Sequence, residues 1–306
     1  MANILCLTLN PALDLTVRLE RLEPGEVNRS QTVLTHAAGK GVNVAQVLAD
    51  LGHHVSVGGF LGAANPQAFE ALIARRGFGD SFIRVPGETR SNIKIAEQDG
   101  RVTDINAPGP EVSEQAQKKL LKLLAVVGPE FDAVVVAGSL PRGVSPQWFQ
   151  GLLEQLKSLG LKVALDTSGE ALRAGLQAGP WMVKPNTEEL AEALGNSPDA
   201  INRLHQQGVE HVVVSDGAAG VNWYSPGSAL HATPPKVVVA STVGAGDSLL
   251  AGMLHGLLSG DAPEKTLRRA TAIAAMAVTQ IGFGISDDAQ LARLESGVDV
   301  RALTEQ

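Results

Sequence analysis

A single cysteine, Cys6, stands in 306 residues. One thiol excludes an internal disulfide and a cysteine-rich zinc site. Inside the apolar run Ile4–Leu9 it reads as a small core residue. The seven histidines show no paired metal-ligand spacing, and no Gly-x-Ser-x-Gly elbow occurs. No Gly-x-Gly-x-x-Gly follows the first apolar run, which weighs against a dinucleotide-dependent dehydrogenase. Positive charge is also short. Lys and Arg number 25 against 32 Asp and Glu, a formal net charge of −7, which argues against a general nucleic-acid binder and leaves room for a local basic pocket. No apolar run is long enough to span a membrane. The opening MANILCLTLNPALD carries no basic segment of the secretory type, so a cytoplasmic location is expected. Repeats and low-complexity tracts are absent.

What remains is 44% apolar and 19% charged, with a mean hydropathy of +0.07, as in ordinary globular chains. The length suffices for one large α/β domain, residues 1–306, with a small insertion. Continuous apolar runs recur at Ile4–Leu9, Val55–Phe60, Ala133–Ala137, Leu161–Leu165, Trp181–Val183 and Val212–Val214. Such runs suit strands covered on both faces. Helical patterns lie between them, at 41–51, 66–76, 113–127, 146–159, 169–177, 187–194 and 200–207, then at 246–258 and 263–280. The alternation predicts a doubly wound, mainly parallel sheet with helices on both faces.

Four segments break the rhythm by alternating apolar and polar residues: 14–19, 29–35, 91–97 and 102–106. Asp99-Gly100 between the last two is a hairpin signal. These strands predict a small separate sheet inserted from about 12–36 and 88–107, with an apolar face that a second copy of the chain could cover. Gly220–Tyr224 and Ala229–Ala232 read as an ordinary surface hairpin.

The chemistry concentrates in loops. In STVGAGDSLLAG, Gly244, Ala245 and Gly246 precede Asp247 and an apolar run. A Gly-x-Gly turn opening a helix leaves backbone N–H groups free for an anion, and Asp247 adds a carboxylate beside them. A helix cap explains the Asp equally well. Gly39-Lys40-Gly41 resembles a phosphate loop, but the Gly and Ser/Thr of a P-loop are missing. Asn43 follows on the same helix. Asp14 is a turn residue or a ligand for sugar hydroxyls, since a carboxylate accepts two at once. Taken singly, Arg90 reads as a solvated surface residue. Ser139 follows the AVVVA strand, where open α/β sheets bind ligands. Asn186 and Glu189 are spaced as a capping box, which spacing alone favours over a hydrated Mg²⁺.

The ordered set NPALD, AGKGVN, GSLP, KPNTEE, SDG and GAGD resembles the PfkB-type sugar kinases of the ribokinase-like fold, over nearly the whole chain. HAAGKG, VGGFLG, DGRVTDIN and GSLPRGVSP resemble the ketohexose-phosphate branch most. The resemblance implies ATP-dependent phosphorylation of fructose 1-phosphate at O6. Tagatose 6-phosphate and fructose 6-phosphate are the alternative substrates, and a sugar-phosphate or nucleotide sensor is the non-enzyme alternative. It implies Asp247 as catalytic base and Gly244, Ala245 and Gly246 as anion hole. It assigns Asp14, Gly39 and Asn43 to sugar hydroxyls, and Lys40, Arg90 and Ser139, with Arg29, to the substrate and its phosphate. Lys184, Asn186, Ser215, Gly217 and Thr242 match positions around ATP. Asn186 and Glu189 match a feature linked to Mg²⁺, and residues 241–243 and 282–286 a place where relatives hold K⁺. A homodimer through the inserted sheet is implied, with no nucleic-acid or membrane partner.

Overall fold

The computed structural model describes residues 1–197 and 199–303. The first third of the chain holds β1 (Asn3–Thr8), β2 (Ala12–Leu19), β3 (Thr32–Ala38), α1 (Lys40–Asp50), β4 (His54–Gly62), α2 (Gln67–Arg76), β5 (Gly79–Val85), β6 (Arg90–Glu97) and β7 (Val102–Asn106). The middle holds α3 (Glu114–Val127), β8 (Ala133–Ala137), α4 (Pro146–Ser158), β9 (Lys162–Asp166), α5 (Gly169–Gln177), β10 (Met182–Val183), α6 (Thr187–Leu194) and α7 (Ala200–Gln206). Then follow β11 (His211–Ser215), β12 (Val221–Ser225), β13 (Ser228–Thr233), α8 (Ala245–Ser259), α9 (Pro263–Ala277), α10 (Asp288–Ser296) and β14 (Asp299–Ala302).

The large sheet has the order β14-β13-β12-β11-β10-β9-β8-β1-β4-β5. From β5 to β11 the strands are parallel; β12, β13 and β14 join antiparallel. Two buried clusters line its faces, one built on Ile4, Val44, Leu48 and the α8–α9 pair, the other on Leu5, Leu120, Leu152 and Leu172. A strand read as continuous apolar therefore has both faces covered, as Ala133–Ala137 shows with all five residues buried.

One strand reading is corrected, and three elements lie outside the sequence pattern. The 221–233 hairpin is not a surface appendage. It extends the large sheet beyond β11, and Trp223, Leu230 and Ala232 lie in the core. The polar-rich β5 and the short β14 are sheet strands that the apolar-run pattern passes over, and α10 closes the chain's helices with only Leu291 buried.

The second sheet has the order β3-β2-β6-β7, with β2 and β6 parallel and its other pairs antiparallel. The Asp99-Gly100 turn joins β6 to β7 as expected. Register sorts its faces. Leu15 pairs with Ile93, and Ile93 with Ile105; Val33 pairs with Val17, and Val17 with Ile95. These six apolar residues share one face. Asp14, Asn92 and Lys94 occupy the other.

Candidate active site

The doubly wound order reverses between β1 and β8, so the carboxyl ends of these two strands form a ready crevice. Across it Asn10 Nδ2 donates to Ser139 Oγ at 3.2 Å. Helix α1 lies directly on β1. A Cβ on Gly41 would come within 2.5 Å of Thr8 Oγ1, while the Val42 N–H donates to that same hydroxyl at 3.1 Å. Only glycine allows this approach. It brings the first turn of α1, with Lys40 and Asn43, to the crevice.

Helix α8 enters from the opposite end of the sequence. Gly244 is its N-cap, at φ 84, and no side chain caps it. The first N–H groups of the helix are therefore free, where the macrodipole favours negative charge. Asp247 is buried in this first turn and bonds elsewhere: Asn43 Nδ2 donates to its Oδ2 at 2.8 Å. The cap reading of Asp247 is thus set aside by geometry.

Asp166, which the sequence reading missed, completes the centre. It ends β9 at 1% exposure. Its Oδ1 lies 3.1 Å from Lys40 Nζ and its Oδ2 lies 3.2 Å from Lys184 Nζ. A Cβ on Gly246 would sit 3.2 Å from Lys184 Nζ, so this ammonium faces the opening of α8. Burial alone would raise the Asp166 carboxyl, but the Lys184 and Lys40 charges outweigh it and hold it low. Burial opposes the Lys40 charge, and Asp166, then Asp247, outweigh it and raise that ammonium. Asp247 goes the other way. Burial first, then the Asp166 charge, push it up to about 6, against the Asn43 hydrogen bond and the lysines. The signal the sequence offered for Asp166 was a carboxylate ending an apolar strand, KVALD.

The small sheet supplies the other wall. Asp14 accepts from Asn92 Nδ2 at 3.1 Å and from Lys94 Nζ at 3.2 Å. Asn92 and Lys94 were also missed, though their spacing puts both on one face of β6. Arg90 is no solvated surface residue. It is half-buried, donating to Ala107 O at 3.2 Å and Asn10 O at 3.1 Å, and its Nε is buried without a partner. It thereby ties the two chain segments that enter and leave the small sheet, beside a cavity of about 550 Å³. Arg29 is exposed in the loop before β3, with no hydrogen bond or ion pair among the described residues.

Asn186 and Glu189 form the expected capping box at α6: Asn186 Oδ1 accepts from the Glu189 N–H at 2.7 Å and Glu189 Oε2 from the Asn186 N–H at 2.9 Å. The Glu189 charge still reaches Lys40. Ser215 ends β11 and bridges to Asn186, Gly217 opens a short 3-10 turn after it, and Thr242 is exposed just before α8. Among the described residues no group of three or more His, Cys, Asp or Glu is arranged to hold a metal, and no helix is long and apolar enough to cross a membrane.

The sequence pattern of the pfkB family carbohydrate kinases matches residues 7–290. The chain belongs to this family. A 1-phosphofructokinase of Vibrio cholerae is 46% identical over 98% of this chain and 97% of its own length. One from Escherichia coli is also 46% identical, over 96% and 97%. Among solved structures, phosphofructokinase-2 from Escherichia coli in complex with potassium superposes with a TM-score of 0.88 at 26% identity, covering 97% of this chain and 99% of that one. Membership in this kinase family makes the doubly wound sheet with its small companion a phosphotransferase scaffold. It also removes the non-enzyme alternative.

Proposed function

We propose that the chain transfers the γ-phosphoryl group of ATP to O6 of fructose 1-phosphate, giving fructose 1,6-bisphosphate and ADP. The observation that carries the mechanism is Asp247, buried beside an uncapped helix start and hydrogen-bonded to Asn43. The choice of sugar rests on the 46% identity to 1-phosphofructokinases over nearly the full chain. Asp247 takes the O6 proton as the O6–phosphorus bond forms and the bond from γ-phosphorus to the bridging oxygen breaks. A base with a pKa near 6 is mostly ionised at pH 7 and still accepts a proton readily. The N–H groups of Ala245 and Gly246, with Lys184 and Lys40, stabilise the charge on the moving group. Gly39 lets the backbone approach the sugar, and Asp14 and Asn43 orient its hydroxyls.

ATP fits along Lys184, Asn186, Ser215, Gly217 and Thr242, at the carboxyl edge of β10 and β11 and the start of α8. Mg²⁺, which neutralises phosphate charge, fits through water at Asn186 and Glu189, because the capping box uses only one carboxylate oxygen of Glu189. K⁺ fits near residues 241–243 and 282–286, since Phe283 of the second stretch packs on Gly244, the next residue after the first. A cytoplasmic site of action accords with these substrates. Under saturating ATP, coupled ADP detection across a sugar panel tests the reading. Fructose 1-phosphate should give the highest kcat/KM; a win for tagatose 6-phosphate or fructose 6-phosphate would overturn the substrate and keep the mechanism.

Arg90, Lys40 and Ser139 are assigned to the substrate phosphate, with Arg29 as a further contributor from the exposed loop. Arg90 has a buried Nε without a partner and lines the cavity beside the small sheet, and charge-assisted contacts suit phosphate oxygens. Arg90→Ala should raise KM for fructose 1-phosphate about tenfold or more, the scale of one charged hydrogen bond, with KM for ATP nearly unchanged. A change in the ATP term alone would move Arg90 to the other half of the site.

The small sheet acts as a lid and as the dimer interface. Its outer face carries Leu15, Val17, Val33, Ile93, Ile95 and Ile105, with Val33 52% and Ile105 53% exposed in a single chain. An apolar face of this kind calls for cover. Light scattering should report a dimer that Ile93→Lys splits into monomers. A wild-type monomer with full activity would refute the interface.

A further inference from the structure

The loop between α9 and α10 touches both ends of this machinery. Phe283 lies at its tip, between Gly282 and Gly284 at φ 109 and 113. Its ring covers Gly244: a Cβ there would meet ring carbons at 2.5 and 2.9 Å. Gly244 is the residue whose left-handed conformation opens α8, and no side-chain cap fixes it. The ring is therefore the contact that bounds this turn from outside.

The loop is in turn pinned from below. The Ile285 N–H donates to Asp50 Oδ2 at 2.8 Å. Gly284 packs on the same carboxylate so closely that a side chain would collide with it. Asp50 Oδ1 accepts from Arg76 at 2.7 Å, and that guanidinium also reaches Gln46 O at 2.6 Å. Gln280 braces the loop internally, donating to Gly284 O at 2.7 Å and accepting from Ser286 Oγ at 2.6 Å. Asp50 closes α1, the helix whose first turn carries Lys40 and Asn43. One rigid element thus presents Asn43 to Asp247 and, at its other end, anchors the loop that seats Phe283 on the anion-binding turn.

We propose that Asp50, held by Arg76, is a positioning residue for phosphoryl transfer, acting through Ile285 and Phe283 to fix Gly244 and the N–H groups that follow it. The inference rests on the reading of Gly244–Gly246 as the anion hole. Its physical basis is direction. Backbone donors stabilise a transition state only when they already point at the charge, and small misplacements far from the chemistry cost much rate. Asp50 itself touches no reacting atom.

The test is a double-mutant cycle in the full-length enzyme at saturating ATP, Mg²⁺ and K⁺. Asp50→Ala and Phe283→Ala should each lower kcat about tenfold and leave KM for fructose 1-phosphate within about twofold. The double variant should be no slower than the slower single one. Asp50→Asn keeps an acceptor for Ile285 and should recover most of the rate. Losses that multiply in the double variant, or a lower melting temperature with kcat intact, would overturn the proposal. Should Asp50→Ala fail to fold, Phe283→Ala on its half-exposed loop decides alone, and an unchanged kcat refutes the proposal. Asp247→Asn in parallel separates the two readings: its full activity would remove the catalytic base and with it the reading of the α8 start as the reaction centre, whereas an inactive Asp247→Asn with multiplying losses removes only the role of Asp50.

Discussion

Asp247→Asn should lower kcat by roughly 10²–10⁴-fold, the scale of losing a positioned general base. The substitution keeps size and still accepts the Asn43 hydrogen bond through its amide oxygen. It also leaves the opening of α8 intact, because Gly244 and not Asp247 is the N-cap. The fold should therefore survive, and circular dichroism and thermal melting should match the parent. ATP and fructose 1-phosphate binding, measured by calorimetry, should change far less than kcat, since the lost proton acceptor acts in the transition state. A folded variant with near-normal turnover would end the assignment.

Asp166→Asn should produce two effects at once. The first is stability. Lys184 is 4% exposed and Asp166 is 1% exposed, so the substitution strips a buried ammonium of its anion. Breaking a buried ion pair from one side costs about 3–5 kcal/mol, readable as a shift in the denaturant midpoint at constant m. The second is the pH profile. After burial, the Asp166 charge is the largest influence holding Asp247 up near pH 6. Its removal lowers the Asp247 pKa, so the acid limb of kcat/KM should move to lower pH than in the parent. Equal stability with an unmoved acid limb would show that Asp166 is not the ionised bridge between the two lysines.

The sheet was legible where burial on both faces leaves an unbroken apolar run, as in Ala133–Ala137, and where helices carry their own stops. It was not legible in β5, where GDSFIRV mixes charge into an edge strand, or in β14, four residues with little burial. The 221–233 hairpin misled because its inner residues, Trp223, Leu230 and Ala232, find their cover only through pairing with distant β11 and packing under α9. The candidate site divides the same way. Its loops could be found from their glycines and carboxylates. The partnerships could not: Asn43 meets Asp247 across 204 positions, and Lys40 meets Asp166 across 126. Asp166 looked like the end of an apolar strand, because only register reveals that it faces two lysines.

The place of β1 has a consequence for how the chain is made. It leaves the ribosome before the other described strands, yet it lies inside the parallel sheet, with β4 on one edge and β8 on the other. The β4 edge can close once residue 62 has been synthesised, and the β8 edge must wait for residues 133–137. Between those points a nascent chain carries a half-built sheet whose open edge is Ile4, Leu5, Cys6 and Leu7, the residues that pair with β8. An unpaired apolar edge is a template for wrong partners, and contacts of long sequence separation form slowly. Synthesis speed across residues 63–137 therefore sets how long this chain stays open to misassembly.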